Sequence, residues 1–199
     1  MSRSKAGAWL IAAAAGFWLA WALMPAVGIT DTQRIFELVA QHAAEVRASV
    51  ILQLASAACY APALVGAARL PEAAERPAIV LGAVLLLIGA MGSAADAVLH
   101  LLAVEMVAPG IDRNAMAPVM ERMQGPNLAL LGPLIAAFFA GSRTLALGFA
   151  RAGLTPRWQP WLYAASLAAV AWSPLAMLAG VSASQVWIGV ALMRREVGA

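Results

Sequence analysis

Charge is scarce in these 199 residues: 12% are Asp, Glu, Lys or Arg, against 63% hydrophobic. That balance excludes an ordinary soluble domain. Cysteine is nearly absent, and the one present, Cys59, lies in an apolar stretch, which excludes an internal disulfide and a CxxC redox pair and reads as a small packing residue. Lysine is reduced to Lys5 beside twelve arginines, none of them clustered into a basic stripe, so nucleic acid is not an expected partner. Only two histidines occur, His42 and His100, too few for a three-histidine zinc hydrolase. The chain also has no HExxH, GxSxG, Walker or GxGxxG pattern, no strand pattern that would carry one, and no span with regularly repeated Arg of the kind a voltage sensor needs.

What is present is a series of apolar runs long enough to cross a hydrocarbon core of about 30 Å, which takes about 20 helical residues. Pro, Gly and charged residues punctuate them near 6–27, 48–68, 78–107, 127–149, 158–174 and 176–193. The first could be a signal peptide after "MSRSK", but its length and lack of a small-x-small cleavage site favour a retained helix. The last is short unless residues from Leu175 join it. The expected fold is all-α, a single integral membrane bundle of about six transmembrane helices with an outer amphipathic helical extension.

Six spans put both termini on one side. Nine basic residues fall on that side (Arg3, Lys5, Arg69, Arg76, Arg143, Arg151, Arg157, Arg194, Arg195) against Arg34, Arg47, Arg113 and Arg122 opposite. Because cytoplasmic loops are enriched in Lys and Arg, this places both termini in the cytoplasm. The outer side carries Asp31, Glu37, Glu45, Asp96, Glu105, Asp112 and Glu121, seven acids against four arginines, or net −3.

Residues 95 to 106, "ADAVLHLLAVEM", set three ionisable groups in an otherwise apolar run. Residues four apart share a helix face, so Asp96 and His100 lie together with Ser93, Gly89 and Ala103 near the same direction, while Glu105 points nearly opposite. Counting the rise from Ala78 brings Asp96 and His100 close to the outer boundary. Two readings stand: an Asp–His hydrogen bond that ties this helix to a neighbour, or a polar site at the floor of an outward-facing cavity, where the imidazole serves as a proton or ligand switch.

His42 belongs to "DTQRIFELVAQHAAEVR", an amphipathic helix that Asp31 or Thr30 can cap. Arg34, Glu37, Gln41 and Glu45 make its polar stripe; Ile35, Val39, Ala43, Val46 and Val50 make the apolar side, with His42 on the border. No Pro or Gly separates Arg47 from the second apolar run, so one continuous helix is expected to project outward and then enter the bilayer. A third outer element, "APGIDRNAMAPVMERMQGPN", holds Met116, Met120 and Met123 at i, i+4 and i+7, a flexible stripe that reads as a lid on the bundle or as an adaptable or soft-metal surface.

His42, Asp96, His100 and an outer glutamate would suffice for zinc with an open position, but Asp-x-x-x-His is not a diagnostic spacing and no metal is assigned. A haem between the two histidines would need both in one interior, which the interfacial place of His42 opposes. No cofactor follows from the sequence. Trp9, Trp158 and Trp161 read as anchors at the inner boundary, with Trp172 and Trp187 deeper or nearer the outside. Phe17, Trp18 and Trp21 either pack helices or line a pocket. Pro62, Pro133 and Pro174 lie within spans and can kink them.

The segments "LTPRWQPWLYAAS" and "VWIGVALMRR", about a fifth of the chain, resemble the closing two helices of an uncharacterised bacterial membrane family, the domain of unknown function numbered 4386. The order of a span, an outer helix and a second span is similar too. This resemblance implies a bacterial inner-membrane location but no activity. The expected ligand-binding residues are Asp96, His100, Ser93, His42 and Glu105, in an outward-facing cavity rimmed by residues 31–47 and 105–126. The expected occupant is a small apolar or lipid-like ligand or a membrane partner, with membrane lipid around the bundle. A metal-dependent membrane enzyme using Asp96 and His100 and an accessory subunit of a larger complex are the alternatives.

Overall fold

The structure is a computed structural model that describes residues 1–197, and the side chains of all of these except 126–128 and 195–197. Among the described residues every regular element is helical. Five helices are long and apolar enough to cross a membrane: α1 (Arg3–Leu23), α3 (Ala43–Ala68), α5 (Pro77–Met106), α7 (Leu128–Arg151, its apolar window beginning at Ala129) and α9 (Pro174–Val197, its window ending at Arg194). Between them lie α2 (Thr32–Gln41), α4 (Pro71–Glu75), α6 (Arg113–Arg122), a π-helical turn Met123–Asn127, α8 (Gln159–Ala168) and a 3₁₀ turn Ala169–Ala171.

Small residues set the helix pairs. A Cβ at Gly89 would lie 2.3 Å from the Phe138 Cα, and one at Gly82 would lie 2.4 Å from the Leu145 amide. From the other side, Gly141 abuts the Leu86 backbone and Gly148 abuts Ile79. Both helices therefore carry glycines seven apart on one face, and α5 and α7 run antiparallel in backbone contact. Gly7 and Gly189 do the same for α1 and α9: a Cβ at Gly7 would lie 2.4 Å from the Gly189 carbonyl oxygen. Gly28 meets Pro174 at the opposite end, so the start of α1 and the end of α9 lie at one end of the bundle. Hydroxyls join α1 to α3, where Ser49 and Ser56 each donate 2.7 Å hydrogen bonds to the Ala20 and Ala13 carbonyls.

The molecule is apolar outside and partly polar inside. Ile51, Met91, Leu130, Trp161 and Trp172 are exposed, whereas Gln53, Gln159, Gln185, Ser49, Ser142 and Ser184 are buried. Inside, Tyr60 donates a short hydrogen bond to Gln185 Oε1, Gln185 Nε2 donates to Ser142 at 2.8 Å, and Gln159 Nε2 donates to Ser184 at 2.6 Å. Both amide atoms of Gln185 thus have partners within the bundle, the condition for polar atoms away from water, whereas the Gln159 carbonyl oxygen has none.

Three sequence expectations change. The helix expected to run unbroken from the outer stretch into the second span is broken at His42 (φ −123°, ψ 33°), which ends α2 and starts α3. The break lets α2 fold onto the bundle and bury Phe36 and Val39 in a second core with Met24, Val46, Val104, Met106 and Met120. Pro174 stands at the start of α9 instead of inside a span, so the internal prolines of the long helices are Pro62 and Pro133.

The stretch near 158–174 forms only α8 and the 3₁₀ turn, together about 21 Å long by their rises. Its connection folds back first, with the Leu154 and Thr155 amides both donating to the Phe149 carbonyl. α8 then starts level with the middle of α9, where Gln159 meets Ser184 and the Trp158 and Trp187 rings lie 5.4 Å apart.

Candidate functional site

At the end opposite the termini, α1 stops at Leu23 and the chain turns through Met24–Ile29 before Asp31 caps α2, its carboxylate accepting from the Arg34 amide at 2.7 Å. Gly28 adopts φ +80° in this turn, a left-handed conformation that favours glycine. The turn separates two cavities. One, of about 190 Å³, is roofed by Ile35 and Val39 of α2 and by Met120 and Met123. The other, of about 340 Å³, runs between Phe17, Ser93, Phe138 and Pro174. Trp21, Val27, Gly28 and Asp96 line both.

Asp96 and His100 sit on the α5 face that the sequence assigns to them, largely buried, with carboxylate Oδ2 and imidazole Nε2 3.7 Å apart. That separation is an electrostatic contact and exceeds a direct hydrogen bond. The tie to a neighbouring helix comes from the other ring nitrogen: Nδ1 lies 3.4 Å from Gln53 Nε2 of α3. An amide donating to Nδ1 leaves the neutral ring's proton on Nε2, facing Asp96. Trp21 meets the ring edge-on, centroids 5.6 Å apart. Gln53 is held in turn by its contact with the Ser49 hydroxyl at 3.2 Å.

Several buried polar atoms here have no protein partner: Trp21 Nε1, Ser93 Oγ, Gln124 Nε2 and Gln53 Oε1. Trp21, Ser93 and Gln124 belong to the cavity linings, and Gln53 stands behind His100. Buried polar atoms are normally paired, so each of these is a group that a polar atom of an occupant would satisfy. The walls are otherwise apolar, with Phe17, Phe138, Met177 and Leu178 along the larger cavity.

Of the residues singled out from sequence, Asp96, His100 and Ser93 are brought together. His42 is not: it lies 3.4 Å from Glu45 on the outer surface and lines neither cavity. Glu105 projects from the other side of α5 and lies 3.6 Å from Arg47, both exposed. Among the described residues no three His, Cys, Asp or Glu side chains are grouped as metal ligands, so Asp96 and His100 offer two. The residues that sequence reasoning missed are Gln53 and Gln124. The signal for Gln53 was present, since Ser49, Gln53, Ser56 and Tyr60 repeat at helical spacing along one face of an apolar run. Comparison with protein-family models, with characterised proteins and with solved structures returned no match.

Proposed function

We propose that this is a multi-pass membrane protein whose termini both face the cytoplasm, and that it binds a small apolar or lipid-like ligand with a polar head in the two cavities at its outer end. Five membrane-length helices with apolar surfaces support the membrane placement, with α8 and its 3₁₀ turn completing a sixth, shorter crossing. The nine-to-four division of basic residues supports the orientation. The observation that carries the ligand reading is the set of unpartnered polar atoms around Asp96 and His100, set in apolar walls. Pockets of this make-up hold an apolar body and orient it by a few polar contacts.

Asp96 and His100 anchor the head, and the methionines of the roof adapt to its shape. Asp96 with His100 also suits a second reading, a metal-dependent membrane enzyme, because an imidazole and a carboxylate are a partial ligand set for zinc. Protein purified in mild detergent, extracted and analysed by mass spectrometry, with elemental analysis of the same sample, tests both. A single co-purified amphiphile at about one equivalent and no stoichiometric metal is expected. Stoichiometric metal without such a molecule would replace the ligand reading by the enzyme reading.

A further inference from the structure

A second cavity system lies at the end of the bundle that holds the termini. Between the last turns of α7, the connection 152–158 and α8 there is a cavity of about 610 Å³ lined by Arg143, Arg151 and Arg157. No carboxylate stands against any of the three among the described residues. The segments that line the cavity carry none themselves, since no Asp or Glu occurs between Glu121 and Glu196. Thr155 lines the same cavity, is 6% exposed, and its buried hydroxyl has no partner. Leu147, Ala150, Ala164 and the exposed Trp161 form an apolar wall beside these groups. Arg143 lies two turns, about 12 Å, further into the bundle than Arg151, so the positive charge extends inward along that wall.

The first amides of α8 are already bonded, Gln159 to the Pro156 carbonyl and Trp161 and Leu162 to that of Trp158. Whatever neutralises the arginines is therefore held by side chains. Guanidinium groups present several N–H donors in a plane and match phosphate oxygens in pairs. The geometry points to a binding site for a phosphate-bearing anion, with the headgroup of an anionic phospholipid as its occupant: the phosphate sits among Arg143, Arg157 and the Thr155 hydroxyl, and the acyl chains run on along Trp161 and Ala164 of α8, away from the terminal end. An unpaired arginine cluster next to an apolar wall fits an amphiphile better than a free ion. The site uses none of the residues of the outer cavities and stands whether or not those bind a ligand.

Native mass spectrometry of the full-length protein in neutral detergent, titrated with phosphatidylglycerol or with phosphatidylcholine of the same chains, tests this. One phosphatidylglycerol should be retained at least about tenfold more strongly than phosphatidylcholine, and R143Q/R157Q should abolish that preference. T155V, which changes no charge, should weaken retention severalfold without moving the melting temperature. R69Q/R76Q, at the same end but outside the cavity, should leave it intact. Inorganic phosphate that displaces the lipid at millimolar concentration would assign the same site to a soluble anion, and failure to displace it keeps the lipid. Equal retention of the two lipids, unchanged retention in R143Q/R157Q, or an equal loss in R69Q/R76Q would overturn the proposal.

Discussion

Asp96, His100 and Gln53 behave as one unit in this account because each sets the state of the next. Gln53 Nε2 lies 3.4 Å from Nδ1 of the imidazole, whose Nε2 lies 3.7 Å from the carboxylate, so the three side chains form one polar chain. Removing either end leaves a buried polar group with less compensation than before, a change of about 1–3 kcal/mol. Asp96→Ala and His100→Ala should each lower the melting temperature of the purified protein, and the double variant should fall short of their sum, since residues that share a network couple by about 0.5–3 kcal/mol. Glu105→Ala, which removes an exposed contact with Arg47, should change stability by less than about 1 kcal/mol. Additive effects at Asp96 and His100, each no larger than that at Glu105, would show two independent side chains.

Helix pairing rests on glycine, and the pairs can be tested one position at a time. Gly89 lies against the Phe138 backbone, whereas a Cβ at Gly132, on the same α7 helix, would meet nothing within 4 Å. Gly89→Ala should therefore force α5 and α7 apart and lower the melting temperature sharply. Gly132→Ala should leave it unchanged or raise it, because Ala favours the helix over Gly by about 1 kcal/mol in water. Equal effects would contradict the close-packed pair.

The long helices follow from length and hydropathy, and the Asp31 cap and the shared face of Asp96 and His100 follow from local spacing. The helix partners do not, because both the buried and the lipid-facing sides of such helices are apolar and hydrophobic periodicity marks neither. The break at His42 escaped for another reason: no Pro or Gly signals it. It arises because burying Phe36 and Val39 against Met106 and Met120 turns α2 away from the α3 axis. The outer position of His42 and Glu105, away from the site, follows from that same turn and from the 100° step between helix residues.

At the scale of the whole molecule, charge and shape divide the chain into two ends. Arg3 pairs with Glu72 at 2.7 Å at the terminal end, which also holds the arginine-lined cavity, while the acidic end carries α2, α6 and the Asp96 site. In a Cys59→Ser background, single cysteines at Glu45 and Asn114 should react with an impermeant thiol reagent in intact cells, and one at Glu72 should react only after permeabilisation. Labelling of Glu72→Cys in intact cells would reverse the orientation.

The ligand reading itself is tested most directly by filling the cavity. Ser93 lines the larger space beside Asp96, and Ser93→Phe places a ring where the ligand's body would lie. Wild-type protein and this variant, purified side by side and extracted for mass spectrometry, give the comparison. The account predicts about one equivalent of a single amphiphile on the wild type and its loss from Ser93→Phe, with the helical signal and melting temperature retained. The same molecule on both proteins in equal amount would contradict binding in this cavity.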